Sequence, residues 1–146
     1  MVRTLAATSA LALLAAATSA VGEPATYAEV KAEKGVRLSP TEMRMLLSDA
    51  KIHNRTAAGS THSWDTKANG TLVASSDGRG VDSGRNNYAS ATGTWDIDDR
   101  GRLCVKIAWN RSPESWCRYV FSVGGKFYAV SGTGDDAVAH ALEIRH

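Results

Sequence analysis

GTWDIDDRGRLCVKIAWNRSPESWCRYVF, residues 93–121, is the stretch that decides the fold. Leu103, Val105, Ile107 and Trp109 alternate with Cys104, Lys106 and Ala108, the period of a strand with one buried face. Asn110 to Glu114, with Pro113, breaks the run and reads as a turn. Ser115 to Ser122 is the returning strand. A turn centred on Asn110-Arg111 sets Cys104 opposite Cys117, Val105 opposite Trp116 and Leu103 opposite Arg118. Directly opposed residues have Cβ atoms ~4.5–5.5 Å apart, and a disulfide needs ~3.5–4.5 Å, so modest closure lets the two cysteines bond. Leu103, Val105, Ile107, Trp109, Trp116 and Val120 then share a core face. The cysteines, Tyr119 and Phe121 share the opposite one.

Working outward, Tyr88 to Ile97 reads as the strand before this hairpin, with Asp98-Asp99-Arg100-Gly101 as its turn. Residues 77–87, DGRGVDSGRNN, form a long polar loop. Thr61 to Thr66 and Thr71 to Ser76 flank Asn69-Gly70, a tight-turn signal. Lys51 to Thr56 is a further short strand. On the C-terminal side, Gly124-Gly125 turns into the strand Lys126 to Ser131, and GTGDD at 132–136 is another loop. The tail AVAHALEIRH fits a helix capped by Asp135 or Asp136, or a strand in which Val138, His140, Leu142 and Ile144 alternate. The strand is favoured because the preceding elements form an antiparallel series.

Ser39-Pro40-Thr41-Glu42 is a capping box with Pro at the first helical position. It predicts one short helix near 40–49, with Met43, Leu46, Leu47 and Ala50 on its apolar side. The fold class is therefore mainly β. It is a small antiparallel meander of six to eight strands with one short N-terminal helix. A curled sheet, a calycin-like barrel or two packed layers would hide its apolar face.

The first 22 residues read as a signal peptide: Arg3 is basic, Leu5 to Ala17 is apolar, and Ala17, Ser19, Ala20 and Gly22 are small. This apolar run is short for a membrane span. Periplasmic or secreted localisation follows, with no membrane span after leader cleavage. Residues 23–37 read as a flexible lead-in, and 38–146 as a single β-rich domain. The remaining length, about 125 residues, suits one core. The chain carries a formal charge of +2, and the leader's single Arg accounts for one of these. No Lys/Arg stripe argues for nucleic acid. Cys104 and Cys117 are the only cysteines. In an oxidising compartment they read as a disulfide, since a zinc site would need more ligands at the right spacing.

The order Gly93-x-Trp95, a turn ending in Gly101, Leu103-Cys104, Trp109 and Cys117 resembles an uncharacterised family of small exported proteobacterial proteins, a domain of unknown function. The resemblance covers residues 36–130 and departs at Trp116 and in the tail. It implies an exported β-rich domain with a cysteine pair and no assigned activity.

Catalytic signatures are missing. There is no nucleophile elbow, phosphate loop or dinucleotide glycine pattern, and no cofactor is expected. Asp96-x-Asp98-x-Arg100-Gly101 starts like a calcium loop, but an Arg stands where a ligand belongs. His53, His62, His140 and His146 lack metal-ligand spacing and read as surface residues. Trp95, Trp109 and Trp116 read as core. Trp64 and Tyr88 are placed at a barrel mouth, where Trp64→Ala would cost less than Trp95→Ala or Trp109→Ala. With Arg79 and Arg85 of the polar loop, they form the candidate binding surface. The expectation is a non-enzymatic binding module for a small apolar ligand or an envelope protein. One alternative is a protein-interaction factor, such as a hydrolase inhibitor, acting through Arg79 and Arg85. Another is an envelope enzyme using carboxylates such as Asp96 and Asp98.

Overall fold

A computed structural model describes residues 22–56, 59–77 and 89–146. Its elements are α1 (Tyr27–Ala32), β1 (Val36–Arg37), α2 (Pro40–Leu47), β2 (Lys51–Arg55), β3 (Thr61–Thr66), β4 (Thr71–Ser76), β5 (Ala89–Ile97), β6 (Leu103–Ile107), β7 (Glu114–Val123), β8 (Lys126–Val130) and β9 (Ala139–Arg145). From β2 onward each strand pairs antiparallel with the next, and β9 returns to pair with β2. The result is a closed eight-stranded up-and-down barrel, a solution that leaves no unpaired edge in the ring. The tail is a strand, as its alternation predicts, because β8 and β2 both need a partner. The short β1 lies outside the ring and pairs with the far end of β7, Val36 opposite Ser122 and Arg37 opposite Phe121.

Period-two alternation separates two cores. Ile52, Trp64, Leu72, Trp95, Val105 and Val120 belong to the cluster inside the barrel. Phe121, Val123, Tyr128, Val130 and Ala139 form a second cluster on its outer face. The predicted hairpin register holds: Val105 faces Trp116, Leu103 faces Arg118, and Cys104 faces Cys117. The cysteines form a disulfide with their Cα atoms 4.0 Å apart. At Gly93 the β6 backbone comes so close that a Cβ would sit 2.2 Å from the Lys106 carbonyl oxygen. That approach requires the glycine of Gly93-x-Trp95.

α2 closes one end of the barrel. Its capping box forms as predicted, with the Glu42 N–H donating to Ser39 Oγ at 3.2 Å and the Ser39 N–H donating to Glu42 Oε2 at 2.7 Å. Met43 and Leu47 are fully buried in the inner cluster beside Ile97 and Leu103, each stabilising by roughly 1.5–3 kcal/mol. The end of α2 is tied to β3, since the Thr66 hydroxyl donates to the Leu47 carbonyl and the Thr66 N–H donates to Ala50 O at 2.9 Å.

The lead-in assigned to 23–37 contains a second helix, α1, and the short strand β1, where the sequence reading places no element. Thr26 and Glu29 form another capping box. Val30 of α1 is fully buried on the outer cluster, and the Tyr27 ring lies 5.4 Å from Phe121. Six helical residues show no apolar period, so only the outer barrel face that receives them reveals the helix. Residues 1–21 of the segment read as a signal peptide, and Arg79, Arg85 and Tyr88 of the candidate surface, lie outside the described residues.

Candidate functional site

The barrel end opposite α2 is where β3, β4 and β7 reach Thr61, Ser76 and Glu114. Strand alternation turns Asn54 and Ile52 of β2, and His62 and Trp64 of β3, into the barrel. On β7 the same parity sends Glu114, Trp116, Arg118 and Val120 inward. On β9 it sends His140 and Leu142 inward. Toward α2, Ile52, Trp64, Leu72, Leu103 and Val120 are buried, with Phe127 and Ile144 partly exposed beside them. Toward the other end, His62, Trp109, Glu114, Trp116, Arg118 and His140 face inward and are still partly exposed. Solvent therefore reaches the interior along this set.

Glu114 is the hub. Its Oε2 accepts the Trp109 Nε1–H and its Oε1 accepts the Trp116 Nε1–H, both at 2.8 Å. His62 Nδ1 lies 3.5 Å from Oε2, at the outer limit of a hydrogen bond. Burial acts to raise the Glu114 pKa, but the His62 imidazole and the two indole donors outweigh it and hold the carboxyl at about 2. Glu114 is thus a fixed anion whose two oxygens are already engaged.

Arg118 lies over the Trp116 ring, 4.2 Å from its centroid. Burial draws its guanidinium below the ordinary value, and Glu114 opposes this. It remains a cation. Burial lowers the pKa of His140, and the charge of Arg118 adds to the shift. The imidazole of His62 packs 5.1 Å from the Trp109 ring, and Trp64 packs 5.6 Å from Trp116. Among the described residues two buried polar atoms here have no partner, Asn54 Oδ1 and Trp64 Nε1, while His62 Nδ1 has only its long 3.5 Å contact with Glu114. Buried donors and acceptors are nearly always paired, so these are unspent capacity.

The depressed Glu114 pKa has a pH consequence. A folded-state pKa below the ordinary 4.5 contributes stability above pH 4.5 that is lost as pH falls toward 2. The full shift would set an upper bound of about 3 kcal/mol. The side chain is 24% exposed, so screening reduces this to about 1–2 kcal/mol. Melting temperature should therefore fall steeply between pH 4.5 and 2 in the parent protein and less steeply in Glu114→Gln. Parallel curves for the two proteins would remove Glu114 as the titrating group.

The candidate surface read from the sequence fares differently. Trp64 is 1% exposed and packs in the barrel interior, which corrects its placement at the mouth. The pattern Thr-His-Ser-Trp-Asp-Thr names two faces, and only closure of the ring shows which one turns in. His62 and His140 also face inward, correcting their surface reading. His53 pairs with Ser63 on the outer face, its Nδ1 2.7 Å from Ser63 Oγ. Glu114 and Arg118 were missed as site residues. Both share parity with the core residue Trp116, and that signal could have found them. The turn reading of residues 110–114 hides Glu114, and the hairpin pattern alone assigns Arg118 no role.

Asp98 serves its turn: it accepts from the Arg100 and Arg102 N–H groups and from Arg102 Nε–H, at 3.0, 2.9 and 2.8 Å. The amide and guanidinium of Arg102 hold its carboxyl below the ordinary range. Asp98, Cys104 and Cys117 group closely enough to suggest a metal site, but the two sulfurs are bonded to each other and offer no thiolate.

Residues 10–118 match the family described as a protein of unknown function, DUF995. The chain belongs to that family. No curated protein and no solved structure matches it. The match spans α1 through the first half of β7, so it includes Trp64, Glu114, Trp116, Arg118 and both cysteines of this DUF995 barrel. Among the described residues no helix is long and apolar enough to cross a membrane.

Proposed function

We propose that this DUF995 protein is an exported, non-enzymatic binding module that holds a small, largely apolar ligand in the open half of its barrel. One observation carries the reading. The inward-facing side chains toward the end opposite α2 are aromatic and polar and stay partly exposed, and among the described residues the buried Asn54 Oδ1 and Trp64 Nε1 of the interior are unpaired. Barrels of eight strands are just wide enough to fill with side chains or to hold one small ligand, and ligand sites combine apolar walls with a few directed polar groups. Trp109 and Trp116 supply the apolar wall. The carboxylates considered for catalysis do not favour an enzyme, since Asp98 is spent on its turn and Asp96 Oδ1 accepts its neighbour's N–H, from Ile97, at 2.7 Å. Export is supported by the leader-like first 22 residues and by a disulfide, which persists in oxidising compartments.

Native mass spectrometry of the protein purified from its own envelope tests this. A non-covalent small-molecule adduct that is lost on denaturation is expected. A protein that leaves the envelope at its bare mass, with tryptophan fluorescence unchanged by any fraction of the extract, would overturn the binding reading. Hydrolysis of an envelope substrate, abolished by changing Asp96 or Asp98 without unfolding, would overturn its non-enzymatic part.

A further inference from the structure

The unspent hydrogen-bonding capacity of the interior is mostly donor, and it has one cation at its centre. Arg118 faces inward, is more than half buried and lies on Trp116. Among the described residues no carboxylate comes within 4.0 Å of it. The inward carboxylate on its own strand, Glu114, has Oε1 taken by Trp116 and Oε2 taken by Trp109, with His62 beside it. Arg118 therefore retains its fork of N–H donors. Burying a cation with its donors unsatisfied is costly, and a flat aromatic shelf under it leaves the fork edge free. The indole N–H of Trp64, which can only donate, is nearly fully buried and unpartnered, and its ring touches the same Trp116. A cationic ligand finds no such welcome, because the Glu114 oxygens are already engaged.

Building on the binding role proposed above, we infer that the ligand is a small anion, a carboxylate or sulfonate on a flat apolar body, with its charged group held by Arg118. The body lies against the Trp109 and Trp116 rings. Bidentate pairing of a guanidinium with a planar carboxylate or with two sulfonate oxygens supplies the strong, directional part of the contact. The aromatic rings supply contact area without reading the head group.

Two fluorescent probes that differ only in charge test this: 1-anilinonaphthalene-8-sulfonate and the same body without the sulfonate, N-phenyl-1-naphthylamine. The intact protein should bind the sulfonate at least about tenfold more tightly. Arg118→Met should abolish that preference while leaving the neutral probe's affinity and the melting temperature little changed. Arg118→Lys should keep part of it, since it retains charge without the fork. 1-Naphthoate should displace the sulfonate probe, which would extend the site to carboxylates. Failure of naphthoate to compete would overturn the shared anion chemistry. Equal affinity of the parent protein for both probes would overturn the anion inference and leave the binding role standing, and that comparison needs no variant to fold. A preference that survives in folded Arg118→Met would overturn the role of Arg118. No binding of either probe, with no adduct on the native protein, would overturn both readings.

Discussion

Trp64→Ala is expected to destabilise the fold by about 3–5 kcal/mol, the range for deleting a large aromatic from a packed core. The indole is 1% exposed, sits in the inner cluster with Ile52, Leu72 and Ala74, and packs 5.6 Å from Trp116. Nothing nearby is free to collapse into the space, because the surrounding side chains hang from eight hydrogen-bonded strands. The loss should match that of Trp95→Ala, whose ring is 7% exposed and whose Nε1–H donates to Lys67 O at 2.9 Å. Trp109→Ala should cost less, since that ring is only partly buried. This moves Trp64 from the mildest of the three sites to one of the two most costly. Trp64→Phe should be milder than its size alone implies, because it removes a buried N–H without a partner, itself worth about 1–3 kcal/mol of desolvation. Chemical denaturation of the four variants checks the order. A loss below about 1 kcal/mol for Trp64→Ala would return that residue to the barrel mouth.

Replacing both Cys104 and Cys117 with Ala should lower stability by about 3 kcal/mol, the chain-entropy value for so short a loop. The bridge joins directly opposed residues of β6 and β7, 13 positions apart in sequence. It stands on the outer face, while Val105, Trp116 and Glu114 face inward on the same two strands. The hairpin register is held twice, by the bond outside and by packing inside. The double variant should therefore lose stability yet keep the Glu114 hydrogen bonds and ligand affinity. Denaturation midpoints with and without reductant measure the first part, and probe binding measures the second. Two free thiols in protein isolated from its native source without reductant would refute the bond in its working state.

The physical difference between these predictions also marks what could be read in advance. The β6–β7 register needed only local alternation and one turn. Leu103, Val105 and Ile107 point one way, Pro113 ends the run, and the cysteine opposition follows. α2 was equally legible, because Ser39, Pro40 and Glu42 satisfy orphan amides within one turn. α1 carries the same kind of box in Thr26 and Glu29. Its only apolar anchors, Tyr27 and Val30, acquire meaning from the outer cluster on which they rest, and that surface is assembled from strands about a hundred residues later.

By itself, then, the sequence determined a meander of short antiparallel strands, the pairing of Cys104 with Cys117, and a capped helix before the first barrel strand. Each depends on interactions between residues close in the chain or joined by a tight turn. Tertiary structure alone decided that the meander closes through β9 onto β2, that Trp64 turns inward, and that α2 rather than a loop blocks one end. It alone brought His62 of β3 to Glu114 of β7 and His140 of β9 near Arg118. Alternation assigns residues to two faces without saying which face is enclosed. Closure of the ring makes that choice, and with it turns a glutamate and an arginine from hairpin residues into the charged centre of the barrel.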